Sequence, residues 1–307
     1  MTPHASSKSG PWLVRAIPFA WLLLFFALPF VIIVRLSLSQ SVVGQPPYAP
    51  VFDGAAGIAQ WIESVRQFSL ESFAILFSDA LYLNSYVSSL RIAFVSTLLA
   101  LLIAYPMALA MSRAPQRLKP ALIVLAVAPF WTSFLIRVYA WITILRDEGL
   151  LNAALLGAGI INEPLRMFAT ETAVVIGIVY SYLPFMVLPI FNAIDRQDRS
   201  LLEAAQDLGA SRTTAFWTVT FPLSLHGVLA GCLLVFIPAV GEFVIPDLLG
   251  GSDTLMIGRT MWNEFFANRD WPVASAAGIL LLAALLAPLI LFGRLQAREP
   301  RHGEARR

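Results

Sequence analysis

The sequence is poor in charge and in cysteine for a chain of 307 residues. Only 13% of its residues are charged and 58% are hydrophobic, whereas about a quarter of the residues in a typical soluble domain are charged. This shortage of charge excludes an ordinary water-soluble domain, because so much apolar surface has to face something other than water. The one cysteine, Cys232, excludes an intrachain disulfide.

Motifs of nucleotide-hydrolysing and hydrolytic enzymes are also missing. No G-x-x-x-x-G-K-[ST] phosphate loop occurs, because Gly250-Gly251-Ser252 lacks a following lysine. Neither H-E-x-x-H nor G-x-S-x-G is present. An intramembrane hydrolase needs a nucleophile with a base in reach, and Ser224 and His226 are the only weak candidates. We therefore expect a chain that is not an enzyme and that binds no cofactor and no metal.

Long apolar runs are what the sequence has instead. Four runs contain no charged residue, a fifth contains Arg137 and, at its start, Lys119, and a sixth contains Glu242. A helix of about 20 residues crosses roughly 30 Å of hydrocarbon, and helices pair all their backbone groups within lipid. The sequence therefore predicts an all-α, polytopic membrane protein with six transmembrane helices. The predicted spans are Ala16–Val34, Ile92–Ser112, Leu118–Leu145, Thr172–Ile194, Thr214–Pro246 and Trp271–Gly293.

Lysine and arginine are unevenly divided between the two predicted faces. Six spans put both termini on one side, which holds 13 of these residues, against five on the opposite side. Because positive residues are enriched on the cytoplasmic side, both termini are predicted to be cytoplasmic. Residues 1–15 form a cytoplasmic tail, 16–293 the membrane domain and 294–307 a basic cytoplasmic tail, which we interpret as a topology signal rather than a nucleic-acid site.

Two loops of the predicted membrane domain are long enough to carry structure. Residues 37–86 form an outer loop that is expected to be irregular at Gly44–Pro47 and at Gly54. Phe68–Phe77 in that loop has apolar residues at helical spacing and predicts a surface helix. The other loop, residues 195–222, is cytoplasmic.

The first half of the cytoplasmic loop has the pattern of a short, capped helix. Ser200 and Glu203 have the spacing of a capping box, and Ala204 and Ala205 leave a surface that another protein can approach closely. Gly209 is placed to end this helix. The pattern predicts a first docking helix over Glu203–Gly209.

The second half of the loop predicts another short helix before the membrane. Ser211 is placed to cap a helix that runs toward Trp217. Pro222 follows where the chain is expected to turn into the membrane. An ordinary amphipathic loop is the alternative, but the spacing of these residues favours two helices, with the second over Ser211–Trp217.

This loop resembles the signature of bacterial ATP-binding-cassette (ABC) importer permeases. That signature is Glu-Ala-Ala, any three residues, Gly, any nine residues, an aliphatic residue, any one residue, a position that is usually leucine, and then Pro. Val219 and Phe221 replace the usual isoleucine and leucine but stay apolar. The resemblance implies that the loop docks into a groove of a separate cytoplasmic ATPase, which hydrolyses ATP. The matching positions are Glu203, Ala204, Ala205, Gly209 and Pro222.

Three longer segments resemble the spermidine/putrescine-type permeases and carry the resemblance over most of the chain from about Ser85. They are Pro129–Trp141, Tyr182–Pro189 and Pro238–Gly251. The resemblance implies an ABC type I importer permease fold that forms half of a pathway for polyamines. Permeases of the same build for an amino acid derivative, ferric iron or sulfate stay open as alternatives.

The same resemblance implies a set of partners and a location. An ATPase in two copies, a second permease subunit and an extracytoplasmic solute-binding protein are expected, together with membrane lipid and without nucleic acid. The location is the bacterial cytoplasmic (inner) membrane. An ion-coupled secondary transporter is disfavoured, because it needs mid-membrane carboxylates and the spans contain only Glu242.

Charged and aromatic residues toward the outer ends of the spans are the candidate substrate pathway. The 20 residues from Pro222 to Glu242 span about 30 Å as a helix, which places Glu242 toward the outer face. Glu242 and Asp247 either pair with Arg35, Arg91 and Arg137, or Glu242 lines the pathway and attracts an amine. The aromatic residues either contact ammonium groups through their rings or serve as packing and interfacial anchors. The candidates are Trp131, Tyr139, Tyr180, Tyr182, Glu242 and Asp247.

Overall fold

The structure is a computed structural model that describes residues 10–51, 62–63 and 65–297. Helices dominate the described residues, and one two-stranded sheet accompanies them. Contacts divide the chain into two compact units. One unit comprises Met1–Ala80 and Met261–Ala283, and the other comprises Leu81–Thr260 and Ala284–Arg307.

The first unit begins with a long apolar helix. Helix α1 (Gly10–Leu22) continues through a π-helical turn (Leu23–Ala27) into α2 (Leu28–Ser37). Residues Arg15–Ser37 form 23 residues of helix that are long and apolar enough to span a membrane. Large apolar side chains on it are exposed, as suits a surface that faces lipid.

The segment after α2 is more regular than expected. Strands β1 (Gln40–Ser41) and β2 (Tyr48–Ala49) form an antiparallel hairpin. Gly44–Pro47 lies in its connection and has no regular structure, as predicted, and Gly54 lies outside the described residues. Helix α3 (Glu71–Ser78) confirms the predicted surface helix, with shifted bounds. The next helix starts at Ala80, within the predicted outer loop of residues 37–86, whose boundary with the membrane stays a prediction.

The second unit contains the other long apolar helices of the described chain. Helix α4 (Ala80–Arg113) has 34 residues and α8 (Glu171–Asp195) has 25. A third continuous helix runs over Arg212–Val240. Together with Arg15–Ser37, these make four helices among the described residues that are long and apolar enough to cross a membrane.

The predicted third span is not one straight helix. Helix α5 (Lys119–Val127) leads into a 3-10 turn (Ala128–Trp131), and α6 (Phe134–Leu145) and α7 (Leu150–Gly157) follow. The chain bends by 86° between Trp131 and Phe134. Pro129 contributes to the break, because proline has no N–H with which to continue a helical ladder. The expectation of an unbroken helix over Leu118–Leu145 was therefore wrong.

Three further helices complete the described chain. Helix α12 spans Val244–Leu249, α13 spans Ile257–Phe266 and α14 spans Trp271–Ala297. The apolar part of α14, Trp271–Leu286, is shorter than the other candidate spans. Four long helices, one bent pair and α14 are consistent with six spans, and that number stays a prediction.

Helices α8 and α11 (Phe221–Val240) pack closely because α11 has two glycines one turn apart. A Cβ atom added at Gly227 would lie 2.5 Å from the Ala193 Cβ and 2.6 Å from the Pro189 carbonyl oxygen. A Cβ atom at Gly231 would lie 2.8 Å from the Met186 sulfur. Small residues spaced by four let helix backbones approach in lipid, where hydrophobic burial gives no driving force.

Gly227→Ala is therefore expected to destabilise the protein. We expect a loss of about 1–3 kcal/mol, because the Cβ atom meets backbone that cannot rotate away. Gly278→Ala is the control, since nothing lies within 4 Å of the added atom and alanine favours helix by up to about 1 kcal/mol. Thermal unfolding in detergent measures both variants. Equal midpoints for the two variants would contradict the packing described here.

Candidate functional site

Helix α9 (Arg199–Asp207) begins the cytoplasmic loop and is capped by Asp198. The Asp198 carboxylate accepts a hydrogen bond from the Ser200 backbone N–H at 3.0 Å. This bond holds the pKa of Asp198 below its ordinary value, because it stabilises the charged form. The predicted capping box of Ser200 and Glu203 is wrong, because the helix starts before Ser200.

Gly209 ends α9 as the sequence predicts. Its φ is +88°, a left-handed conformation that suits glycine. The Gly209 N–H bonds to the Gln206 carbonyl at 2.8 Å, and the Ala210 N–H bonds to the Ala205 carbonyl at 3.0 Å. This pair of bonds is a Schellman motif, which fixes the direction in which the chain leaves the helix.

Helix α10 (Arg212–Ala215) starts with the predicted cap, because the Ser211 hydroxyl accepts from the Thr214 N–H at 3.1 Å. It then continues through a π-helical turn (Phe216–Thr220) into α11. The predicted end at Trp217 and turn at Pro222 are therefore wrong. Proline fits in the first turn of α11 because the wider π-helical turn bonds the Phe221 N–H to the Phe216 carbonyl.

The loop presents a small apolar surface. Glu203 and Ala204 are exposed, Ala205 is half-buried, and Leu208 is 90% exposed. The sequence analysis did not single out Leu208. The sequence does carry a sign of this exposed side chain, because Leu208 stands between the polar residues at the end of α9 and the glycine that ends the helix. A leucine that protrudes beside small alanines provides a surface that a protein partner can bury.

Glu242 lies in the break between α11 and α12, and its carboxylate is fully engaged. One oxygen accepts from the backbone N–H groups of Phe243, Val244 and Ile245, at 3.1, 3.0 and 3.4 Å. The Tyr182 hydroxyl donates to the other oxygen. The side chain caps α12 and is only 7% exposed. Helix rise placed Glu242 inside the fifth span, which was wrong because α11 ends at Val240.

The acidic residues do not have the arginine partners that the sequence suggested. Asp247 pairs with Arg259 at 3.2 Å, and Glu242 pairs with Tyr182 and backbone groups. The expectation that Arg35, Arg91 and Arg137 neutralise these two carboxylates was therefore wrong. Arg91 forms an ion pair with Glu171 instead.

Arg137 is buried against aromatic rings. It is 8% exposed, and its guanidinium carbon lies 5.1 Å from the centre of the Phe130 ring and 5.6 Å from that of Phe134. Its Nε and Nη1 atoms are buried and have no hydrogen-bond partner among the described residues. The guanidinium therefore stacks across the 86° bend, because Phe130 precedes the break and Phe134 follows it.

The candidate aromatic residues separate into two groups. Tyr180 packs edge-to-face against Trp141 with ring centres 5.4 Å apart, and Tyr182 lies 6.2 Å from the Phe185 ring. Trp131 and Tyr139 are 76% and 55% exposed. Of the predicted pathway residues, Tyr182 and Glu242 are in direct contact. The described residues contain no group of three or more potential metal ligands.

Residues 121–301 match the family described as the binding-protein-dependent transport system inner membrane component. The match includes the docking signature, the Glu242 turn and the last apolar helix. The chain belongs to this family. Its members are transport components, so the chain is an ABC importer permease subunit rather than an enzyme, and its ATPase is a separate subunit.

Curated relatives and solved structures agree with this membership. The permease is 40% identical over 273 residues to the spermidine/putrescine transport system permease protein PotB of Haemophilus influenzae, covering 88% of this chain and 89% of the relative. It is 30% identical over 248 residues to the inner membrane ABC transporter permease protein YdcU of Escherichia coli, covering 75% and 78%.

The permease also shares its fold with solved importers. A bacterial alginate ABC transporter in complex with an alginate pentasaccharide-bound periplasmic protein matches with a TM-score of 0.68 at 16% identity, over 94% of each chain. The inward-facing methionine transporter MetNI matches with a TM-score of 0.54 at 17% identity, over 70% of this chain and 94% of that one. These matches support the helical permease fold.

Proposed function

We propose that this permease forms half of the pathway through which an ABC importer takes up polyamines, spermidine or putrescine. The observation that carries the proposal is 40% identity to a spermidine/putrescine permease over 88% of this chain. That coverage includes both the cytoplasmic loop and the Glu242 turn. The solved importers named for alginate and methionine are only 16% and 17% identical to this chain and share its fold alone.

The cytoplasmic loop is the proposed ATPase-docking site. Four of its five signature residues lie on α9 or directly after it, where Glu203 and Ala204 are exposed and Gly209 fixes the exit of the chain, and Pro222 lies in the first turn of α11. Two ATPase copies would serve this chain and a second permease subunit, and an extracytoplasmic binding protein would deliver the solute. The bias of 13 Lys and Arg residues against five supports cytoplasmic termini.

Tyr182 and Glu242 are the proposed core of the substrate pathway. A carboxylate joined to an aromatic hydroxyl at a break between helices provides negative charge and a ring face for an ammonium group. Irregular backbone at membrane depth is tolerated where it lines a cavity, which favours the α11–α12 turn as a pathway element. Trp131, Tyr139, Tyr180 and Asp247 stay candidate pathway residues.

The proposed mechanism is alternating access driven from the cytoplasm. ATP binding would close the ATPase dimer and draw the docked loops together, opening the pathway outward, and hydrolysis would reset it. The permease would bind the solute weakly along the route, because tight binding slows release. Specificity would reside mainly in the binding protein.

Uptake by the reconstituted transporter tests this function. Proteoliposomes with the permease, its partner permease and ATPase, and the cognate binding protein are supplied with labelled spermidine or putrescine. We expect ATP-dependent uptake that unlabelled polyamine inhibits and that sulfate, ferric iron or amino acid derivatives do not. Uptake of one of those solutes in place of polyamines would overturn the proposed cargo.

A further inference from the structure

A buried ion pair lies at the base of the cytoplasmic loop. Lys119 is the first residue of α5 and Asp195 is the last residue of α8, and the Lys119 ammonium donates to the Asp195 carboxylate. Lys119 is only 7% exposed. A lysine seldom becomes this buried unless it is paired.

Each charge of this pair lies at the end of its own helix where a charge of its sign is unfavourable. A lysine at a helix N-terminus and an aspartate at a helix C-terminus both oppose the helix dipole. Each charge is, however, next to the end of the other helix that favours it. The pair therefore ties the start of α5 to the end of α8.

A second contact closes the loop above this pair. The Gln197 side-chain amide donates to the Thr220 carbonyl at 3.0 Å, joining the segment that enters α9 to the π-helical turn that leaves the loop. Gln197 lies two residues after Asp195. The ion pair and this hydrogen bond are consecutive cross-links at the base of the loop.

Helix α9 itself is separated from part of the bundle by a cavity of about 430 Å³. The cavity is lined by Leu202 and Gln206 of α9, by Arg113 at the end of α4, and by Lys119 and Asp195. An open cavity transmits little force, because close packing is what makes protein interiors stiff. Movement of α9 reaches α8 along the short connection of residues 196–198, and the ion pair links the end of α8 to the start of α5.

We propose that Lys119 and Asp195 are positioning residues that couple movement of the docked loop to the transmembrane helices. The pair makes the end of α8 and the start of α5, which leads to the 86° bend, move as one when the ATPase displaces α9. This proposal rests on the proposed function, in which the loop binds the ATPase. Without the pair, the ATPase still binds and hydrolyses ATP, but less solute is transported for each ATP hydrolysed.

The test measures transport per ATP hydrolysed in the reconstituted complex, together with ATPase co-purification. For Lys119→Met and Asp195→Asn we expect transport per ATP to fall by about fivefold or more while the ATPase still co-purifies. Lys119→Arg keeps the pair and should keep the ratio. Arg91→Met, which breaks the exposed pair with Glu171, is the matched control and should leave the ratio unchanged.

The reversed pair Lys119→Asp with Asp195→Lys separates coupling from folding. Each exchanged charge then suits the dipole of its own helix and opposes that of the other, the reverse of the native balance. The ion pair itself is kept, so we expect the double variant to insert normally and recover most of the ratio. An unchanged ratio in Asp195→Asn, or a fall in Arg91→Met of the same size, would overturn the coupling role. Failure of the unaltered permease to retain the ATPase would instead overturn the proposed docking function.

Discussion

Replacing Leu208 with aspartate is expected to remove ATPase binding and, with it, uptake. Leu208 is 90% exposed at the end of α9, beside Ala204, Ala205 and Gly209. A hot-spot side chain in an interface costs about 2 kcal/mol or more when it is lost, and burial of the unpaired aspartate carboxylate in its place adds to that cost. We therefore expect ATPase affinity to fall by at least about thirtyfold.

Leu150→Asp is the matched control for this variant. Leu150 is 69% exposed at the start of α7, on the predicted outer side. Aspartate is favourable in the first turn of a helix, so the control should fold normally. Pull-down of the ATPase from detergent and uptake in proteoliposomes measure both variants. Normal ATPase binding by Leu208→Asp would show that the exposed leucine is not part of the docking surface.

Replacing Glu242 with alanine is expected to destabilise the permease severely. The change removes the acceptor for three backbone N–H groups at the start of α12 and the partner of the Tyr182 hydroxyl. An unsatisfied buried group costs about 1–3 kcal/mol, and a hydrogen bond to a charged group contributes about 1.5–3 kcal/mol. A thermal midpoint far below that of the unaltered protein checks this expectation.

Glu242→Gln separates the structural role from the proposed pathway role. Glutamine keeps an oxygen that can cap α12, and its amide can donate to the tyrosine oxygen, so we expect a much smaller loss of stability than with alanine. If the charge attracts the ammonium groups of a polyamine, uptake falls about tenfold, equivalent to about 1.4 kcal/mol. Uptake equal to that of the control Glu171→Gln, at normal expression, would exclude the pathway role.

Local sequence patterns predicted the cytoplasmic loop well. Gly209 and Ser211 act on backbone groups within a few residues of themselves, so their roles as helix end and helix cap follow from spacing alone. The start of α9 was misplaced because Asp198 and Ser200 both provide acceptable caps. Sequence alone does not decide between two adjacent caps.

Features that depend on backbone breaks were predicted poorly. An apolar run shows where a chain can lie in lipid, but it does not show whether the helix within it is continuous. The bend after Trp131 and the end of α11 before Glu242 both fall inside apolar runs. Treating the fifth span as one helix assigned Glu242 a position inside it, whereas the carboxylate caps the next helix.

Contacts between distant residues could not be predicted from spacing. Lys119 and Asp195 are 76 positions apart, and Tyr182 and Glu242 are 60 apart. Each pair forms only because α8 packs beside its neighbours. The glycines at 227 and 231 indicate from the sequence that another helix approaches α11 closely. The sequence does not show that this helix is α8, because the fold determines which helix packs there.

Cysteine cross-linking of the loop to the ATPase tests the central claim most directly. In a background of Cys232→Ala, which removes the single native cysteine, a heterobifunctional maleimide reagent is attached at Leu208→Cys or at Leu150→Cys in the assembled transporter. We predict a covalent product of permease and ATPase from Leu208→Cys and none from Leu150→Cys. An intact complex that yields no product from Leu208→Cys, or yields it from Leu150→Cys instead, would contradict docking of the ATPase at this loop.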